Sequence, residues 1–302
     1  MELYHVEGQS LSSLPRKQLA LERHIQRLLE SNLDAVFGIR FLASEYSTGE
    51  KHGGRIDSLG IDENGTPVIV EYKLTSSENV INQSLYYLDW LVDHRGDFVL
   101  LVQKKLGSDV SIDWTAPRVL CIANSFSKYD TYAVQQMGRN IQLVQYRLFE
   151  GGYLLIDVIG GSLISLSTTK RAGLPQPVEQ IEYSVDQQMR HGNKEIQEIA
   201  EELRQHFLQL GEDVTESPVK NYIAYRTTRN FCCLEVHQKH IFLYLTLDPE
   251  VGKGLKFCRD VSNIGHFGTG NLEVRVENAD QVLDAKRLID LAYRSATGAD
   301  GR

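Results

Sequence analysis

Residues Gly53 to Lys73 read GGRIDSLGIDENGTPVIVEYK, and the strand parity of this stretch decides what the chain can be. Two apolar runs, RIDSLGI and PVIVEYKL, flank the turn residues DENGT, which is the pattern of a hairpin. Side chains alternate along a strand, so Ile69, Glu71 and Lys73 share one face while Val68, Val70 and Tyr72 take the other. If the loop is Glu63-Asn64-Gly65, with Asp62 opposite Thr66, Asp57 falls directly opposite Glu71. A two-residue Asn64-Gly65 turn shifts the pairing by one, sets Asp57 against Tyr72 and sends the two carboxylates to opposite sides of the sheet. Only the longer loop lets the acids meet.

In that register the two Cβ atoms lie about 4.5–5.5 Å apart, close enough for one divalent cation to bridge both carboxylates. Without a cation the acids repel, and one tends to keep a proton. Magnesium takes oxygen ligands and retains waters, which leaves room for a substrate phosphate. Lys73, on the same face, can position or deprotonate an attacking water and offset phosphate charge. The chemistry implied is phosphodiester hydrolysis. The bland alternative is a solvated Asp57 with a surface Glu71/Lys73 pair, but VIVEYKL sets two charges in an apolar strand, where desolvation is costly without partners.

Working outward, PRKQLALERHIQRLLES (15–31) places Leu21, Ile25, Leu28 and Leu29 at helical spacing, with Pro15 suited to a first turn. FGIRFLASEY reads as a strand. Residues 78–93 put Ile81, Leu85, Leu88 and Val92 on one helical stripe. DFVLLVQKK and PRVLCIANSF lack alternation and read as strands covered on both faces. VQYRLFEGGYLLIDVI carries a Gly-Gly hairpin signal. The predicted order is α, β, β, β, α, β and further mixed strands: a central sheet flanked by helices.

With these elements in place, GGRIDSLGIDENGTPVIVEYK resembles the core motif of the PD-(D/E)XK nuclease superfamily, with Asp57 as the motif Asp and Glu71-Tyr72-Lys73 as E-x-K. The form R-I-D followed by V-x-V-E-x-K is most similar to the branch containing the NucS-like endonucleases. The resemblance covers about residues 15–150 and implies a restriction-endonuclease-like α/β fold, Mg²⁺ or Mn²⁺ held by Asp57 and Glu71, Lys73 serving the nucleophilic water, and DNA as the substrate. It also implies Glu22 as a further metal ligand, Gln83 and Tyr87 as the Q-x-x-x-Y element of the following helix, and, in many members, a homodimer. Ile56 stands where the eponymous Pro would be and touches no ligand.

The 302 residues suggest two domains: a nuclease-like domain over 1–160, a linker over 161–194 where Ser, Thr, Gly, Pro and Gln accumulate, and an α+β domain over 195–302. The last resembles a domain of unknown function found next to such nucleases. Net charge is −8, divided equally between the halves, which argues against a histone-like nucleic-acid coat. No run approaches the roughly 20 apolar residues of a membrane helix, and MELYHVEGQS lacks a signal-peptide pattern, so the expectation is a cytoplasmic protein without a membrane partner. Adjacent Cys232 and Cys233 point to opposite strand faces and make neither a bridge nor a metal pair.

Weaker candidates have ordinary readings beside the functional one. Arg55 contacts phosphate or is a surface arginine, and Arg40 carries less signal still. Trp90 and His94 stack on a base or pack on the sheet. YIAYRTTRNF interleaves Tyr222, Tyr225, Arg226, Arg229 and Phe231 as a nucleic-acid face would, but half-buried strand alternation explains it better. Lys253 and Lys256 in GKGLKFCRD contact phosphate or form a solvated loop. GHFGTGN lacks the context of a phosphate loop. The reading is therefore a metal-dependent nuclease, with an inactive nucleic-acid- or protein-binding module on the same fold as its rival.

Overall fold

The hairpin closes through the longer loop. Asp62 N donates to Thr66 O at 2.9 Å and Gly65 N to Asp62 O at 3.0 Å. Gly65 sits at φ 78°, the left-handed position that ends a three-residue loop. Pairing runs from Ile61 with Pro67 to Ser58 with Val70, so Asp57 and Glu71 are next in line.

The computed structural model describes residues 2–19, 21–74, 79–162 and 183–298, and the chain divides into two units, Met1–Ser165 and Leu166–Arg302. The first opens with an exposed hairpin, β1 (Tyr4–Glu7) and β2 (Ser10–Ser13). There follow β3 (Arg16–Lys17), α1 (Glu22–Glu30), α2 (Leu33–Phe37), β4 (Ile39–Ser47), α3 (Gly49–His52), β5 (Arg55–Asp62), β6 (Pro67–Lys73) and α4 (Asn79–Asp93). The unit ends with α5 (Arg95–Leu106), β7 (Arg118–Ala123), α6 (Lys128–Gln136), β8 (Ile141–Phe149) and β9 (Tyr153–Ser162).

Strands β3 to β9 form one mixed sheet, in the order β3-β8-β7-β6-β5-β4 with β9 along the other side of β8. The β6–β7 and β7–β8 pairs are parallel, and the remainder are antiparallel. Helices cover both faces. Ile25, Leu29, Leu33 and Phe37 of α1 and α2 pack with Val68, Val70, Tyr72, Leu120, Ile122 and Val144. On the other face Ile81, Leu88, Leu91, Phe98, Val102 and Val134 of α4, α5 and α6 meet Leu59, Ile61, Ile69, Val119, Cys121, Ile141 and Leu143. Glu71 has the parity of Ile69 and so belongs to this second face.

Two expected elements come out differently. The helix expected over 15–31 starts only at Glu22, because Arg16–Lys17 are extended and pair with Leu148 and Phe149. Its inward face is Ile25, Gln26 and Leu29, while Leu21 and Leu28 are exposed. DFVLLVQKK is helical, not a strand: Phe98 and Val102, four apart, are buried while Leu100 is 65% exposed. A short apolar run supports either period, and here the tertiary contacts select the helical one. Helix α6 is an addition to the expected order, announced by a capping box between Ser127 and Asp130. Trp90 is buried in the core and stacks on His94 at 4.6 Å, so it packs inside the fold.

Of the segment expected as a linker, residues 163–182 lie outside the described residues. The second unit contains α7 (Val185–Met189), α8 (Lys194–Gln209), β10 (Thr215–Pro218), β11 (Ile223–Arg226), β12 (Asn230–Val236), β13 (Ile241–Leu245), β14 (Cys258–Asp260), β15 (Leu272–Val276) and α9 (Val282–Thr297). These strands form an antiparallel sheet in the order β10-β11-β12-β13-β15-β14. Ile199, Leu203 and Phe207 of α8 and Ala285, Leu288 and Ile289 of α9 pack on Ile223, Tyr225, Leu234, Leu243 and Val274. Tyr225, Arg226 and Phe231 are buried, so YIAYRTTRNF is core strand and presents no nucleic-acid face through them. Cys232 and Cys233 join different apolar clusters, as opposite strand faces require, and all four cysteines are free thiols.

Candidate active site

The β5–β6 ladder ends at Ser58 and Val70, and the next two residues hold the strands together with their side chains. Asp57 N donates to Glu71 Oε1 at 3.1 Å, and Tyr72 N donates to Asp57 Oδ2 at 3.0 Å. Each carboxylate accepts a backbone N–H that would otherwise lose its partner where the strands part. One oxygen of each acid is thereby used. Glu71 is 0% exposed, and its Oε2 is buried with no hydrogen-bond partner.

An orphaned carboxylate oxygen in a fully buried position is costly if charged. Burial, then the Asp57 charge, push the Glu71 carboxyl up to about 9. Burial raises Asp57 as well, opposed by the Tyr72 N–H and the Lys73 charge. Lys73 feels the opposite balance. Its burial disfavours the ammonium, but the hydrogen bond to Glu22 and the charges of Asp57, Glu22 and Glu71 outweigh that, and its pKa is raised. Lys73 Nζ donates to Glu22 Oε1 at 2.8 Å, which ties the first turn of α1 to the end of β6.

Gln26, one turn beyond Glu22 on α1, is buried and spans three elements. Its Nε2 lies 3.1 Å from Asp57 O, 3.1 Å from Glu30 Oε1 and 3.3 Å from both Ser44 Oγ and Glu45 Oε1. Glu30 in turn accepts from Ser58 Oγ at 2.6 Å. The Asp57 carbonyl and the Ser58 side chain are thus fixed to α1. On the α4 side, Tyr87 OH accepts from Arg55 N at 3.1 Å and from Gln83 Nε2 at 3.0 Å. Gly54 lets this ring approach: a Cβ there would stand 2.6 Å from Tyr87 Cε1.

The geometry therefore brings Asp57 and Glu71 together at one end of the sheet, and Glu22, expected as a further metal ligand, is engaged by Lys73 and not gathered with the two acids. Gln83 donates to Tyr87 OH, which also accepts from the strand leading into Asp57, and neither residue makes a hydrogen bond to the acids. Arg55 is exposed and pairs with Glu45 at 2.6 Å. Lys253 and Lys256 belong to the second unit, where both are exposed and Lys253 pairs with Glu250 at 2.7 Å. Gln26 and Glu45 escaped the sequence reading. Gln26 had a faint signal, its spacing of four from Glu22. Glu45 had none.

Among the described residues no group of three or more His, Cys, Asp and Glu side chains is gathered to hold a metal. The donor set that fits a hard cation is the Asp57–Glu71 pair: Glu71 Oε2 is free, and Asp57 Oδ1 accepts no hydrogen bond among the described residues. Two carboxylates suffice for an ion such as magnesium that keeps most of its waters.

Fold and site define a mixed α/β unit with an acid pair and a cationic lysine at a sheet end, followed by an α+β unit. Residues 185–296 match a domain of unknown function (DUF5655). An uncharacterized protein of Haemophilus influenzae is 27% identical over 304 residues, spanning 97% of this chain and 100% of that one. A chain in a solved structure titled as an EndoMS–dsDNA2 complex aligns at 17% identity and a TM-score of 0.25, over 48% of this chain and 64% of its own length. At that score the superposition says nothing about individual residues. No helix among the described residues is long and apolar enough to cross a membrane.

Proposed function

We propose that the protein is a metal-dependent nuclease that hydrolyses phosphodiester bonds in DNA. The observation that carries this is the buried, unpartnered Oε2 of Glu71 beside Asp57, at a site that also holds Lys73. The sequence resemblance to the PD-(D/E)XK superfamily rests on these same residues. Asp57 and Glu71 would hold Mg²⁺, or Mn²⁺ in its place. When bound, the cation supplies Lewis-acid stabilisation of the phosphate and a water of lowered pKa. Glu71 Oε2, which burial leaves alone, would gain a partner there.

The chain's own groups do the rest. The clasps between Asp57, Glu71 and the opposing backbone set both carboxylates before any ligand arrives, which lowers the reorganisation needed in the reaction. Lys73, its pKa raised, stays an ammonium at neutral pH. It acts as a positive charge that orients the attacking water and stabilises charge on the phosphate. Glu22 holds that ammonium in place. Gln26 and Tyr87 position the strand that carries Asp57.

The test is incubation of the protein with single-stranded, duplex, branched and mismatched DNA and with RNA, in Mg²⁺ or Mn²⁺, with a chelator control. Chelator-sensitive products are expected, with Asp57→Ala and Lys73→Ala each lowering the rate by about 10²–10³-fold. Unchanged cleavage in both variants would dismiss the assignment. Nucleic-acid binding without product in either metal would favour the inactive binding module.

A further inference from the structure

Glu45 lies in the middle of β4 with φ 52°, and it is the sole non-glycine with positive φ among the described residues. No turn requires this: Ser44 pairs with Ser58 and Tyr46 with Ile56, so Glu45 stands directly opposite Asp57. Alternation breaks at this residue: Ser44 lies beside Gln26 of α1 while Tyr46 packs into the core on the α4 side, and Asp57 feels the Glu45 charge. A left-handed backbone at a non-glycine is unfavourable and persists where the surroundings impose it, often at functional sites. Here the surroundings are specific. Gln26 Nε2 reaches Glu45 Oε1 at 3.3 Å, and Glu45 Oε2 takes Arg55 Nε at 2.6 Å.

Arg55 lies two residues before Asp57 on β5 and pairs with Glu45, whose charge Asp57 also feels. Its backbone N–H is fixed by Tyr87 OH, its Nε by Glu45, and its side chain is 65% exposed. The two terminal amino groups of its guanidinium make no hydrogen bond among the described residues. The site has room for such a cation: Asp57, Glu22 and Glu45 are acids, and Lys73 is already engaged by Glu22. A guanidinium held by one edge leaves its fork free for phosphate oxygens.

We infer that Glu45 is a positioning residue whose left-handed backbone and carboxylate aim Arg55 at a nucleic-acid backbone phosphate beside the acid pair. This rests on the nuclease reading and assigns a phosphate subsite within it. The contact is cheap to rearrange, since exposed ion pairs contribute little, so Arg55 can shift toward substrate without unfolding β4.

The experiment compares wild type with Glu45→Gly, Glu45→Asp, Arg55→Ala and the Glu45→Gly/Arg55→Ala double variant. Glycine takes the left-handed region freely, so Glu45→Gly is expected to fold, and Glu45→Asp is a second variant whose side chain tolerates that region. Cleavage by Glu45→Gly and Arg55→Ala should each show KM raised about tenfold with kcat nearly unchanged, the size of one lost phosphate contact. The double variant should be no worse than either single one, because one interaction is removed twice, and Glu45→Asp should recover most of the loss. In chelator, Arg55→Ala should flatten the salt dependence of DNA binding by about one ion. Wild-type KM in Glu45→Gly, or additive losses in the double variant, would overturn this inference alone. Failure of the wild type to cut any substrate would overturn it together with the nuclease reading.

Discussion

Replacing Glu71 by Gln should abolish a pH dependence of stability that the buried carboxyl imposes. An ordinary glutamate in the unfolded chain ionises near 4.5, whereas Glu71 in the folded protein holds its proton to about 9. Folding therefore takes up a proton between these values. The raised folded pKa contributes stability that is fully present below 4.5 and is lost as pH rises toward 9. For one proton the slope is about 1.4 kcal/mol per pH unit, so from pH 6 to pH 8 the metal-free wild type should lose nearly 3 kcal/mol. At about 2–4 °C per kcal/mol for a unit of this size, the melting temperature falls by about 5–10 °C.

Both tryptophans, Trp90 and Trp114, belong to the first unit, so their fluorescence follows its unfolding in the full-length chain. In chelator the wild type should show the slope and Glu71→Gln should lose most of it. Asp57, also raised by burial, acts in the same direction. Millimolar Mg²⁺ should restore the alkaline stability of the wild type and leave Glu71→Gln unmoved. Equal slopes in the two proteins, or equal response to Mg²⁺, would refute the assignment of a neutral, cation-ready carboxyl at this position.

Gly54→Ala should push Tyr87 off the start of β5, since the new methyl would lie 2.6 Å from its ring; a loss of about 1–3 kcal/mol in the tryptophan-monitored melt is expected, with cleavage reduced too. Gln26→Leu should destabilise the same unit by about 1–3 kcal/mol, because the oxygens around its buried amide lose their donor. In the second unit, Glu216 accepts from buried Tyr225 OH at 2.8 Å and pairs with Arg204 at 2.9 Å. Glu216→Ala leaves that hydroxyl without a partner and should lower the urea midpoint, read by far-UV circular dichroism, by the equivalent of about 1–3 kcal/mol.

Local pattern placed the acid hairpin but left two registers, a three-residue loop and a two-residue Asn64-Gly65 turn; the chemistry of paired carboxylates pointed to the first, which is the one observed. Local pattern was enough for α4, α8 and α9, whose apolar spacing has one period. It failed for DFVLLVQKK, where a short apolar run fits either period and the neighbours alone choose, and for Arg16–Lys17, which β8 draws into an extended path. It was silent on Glu45, since a left-handed backbone in mid-strand leaves no mark in composition or spacing. The pairing of Lys73 with Glu22, the bridging role of Gln26 and the raised Glu71 carboxyl are likewise products of tertiary structure. They depend on helix α1 meeting strands that are distant in the chain, and on how far each charge is taken out of water.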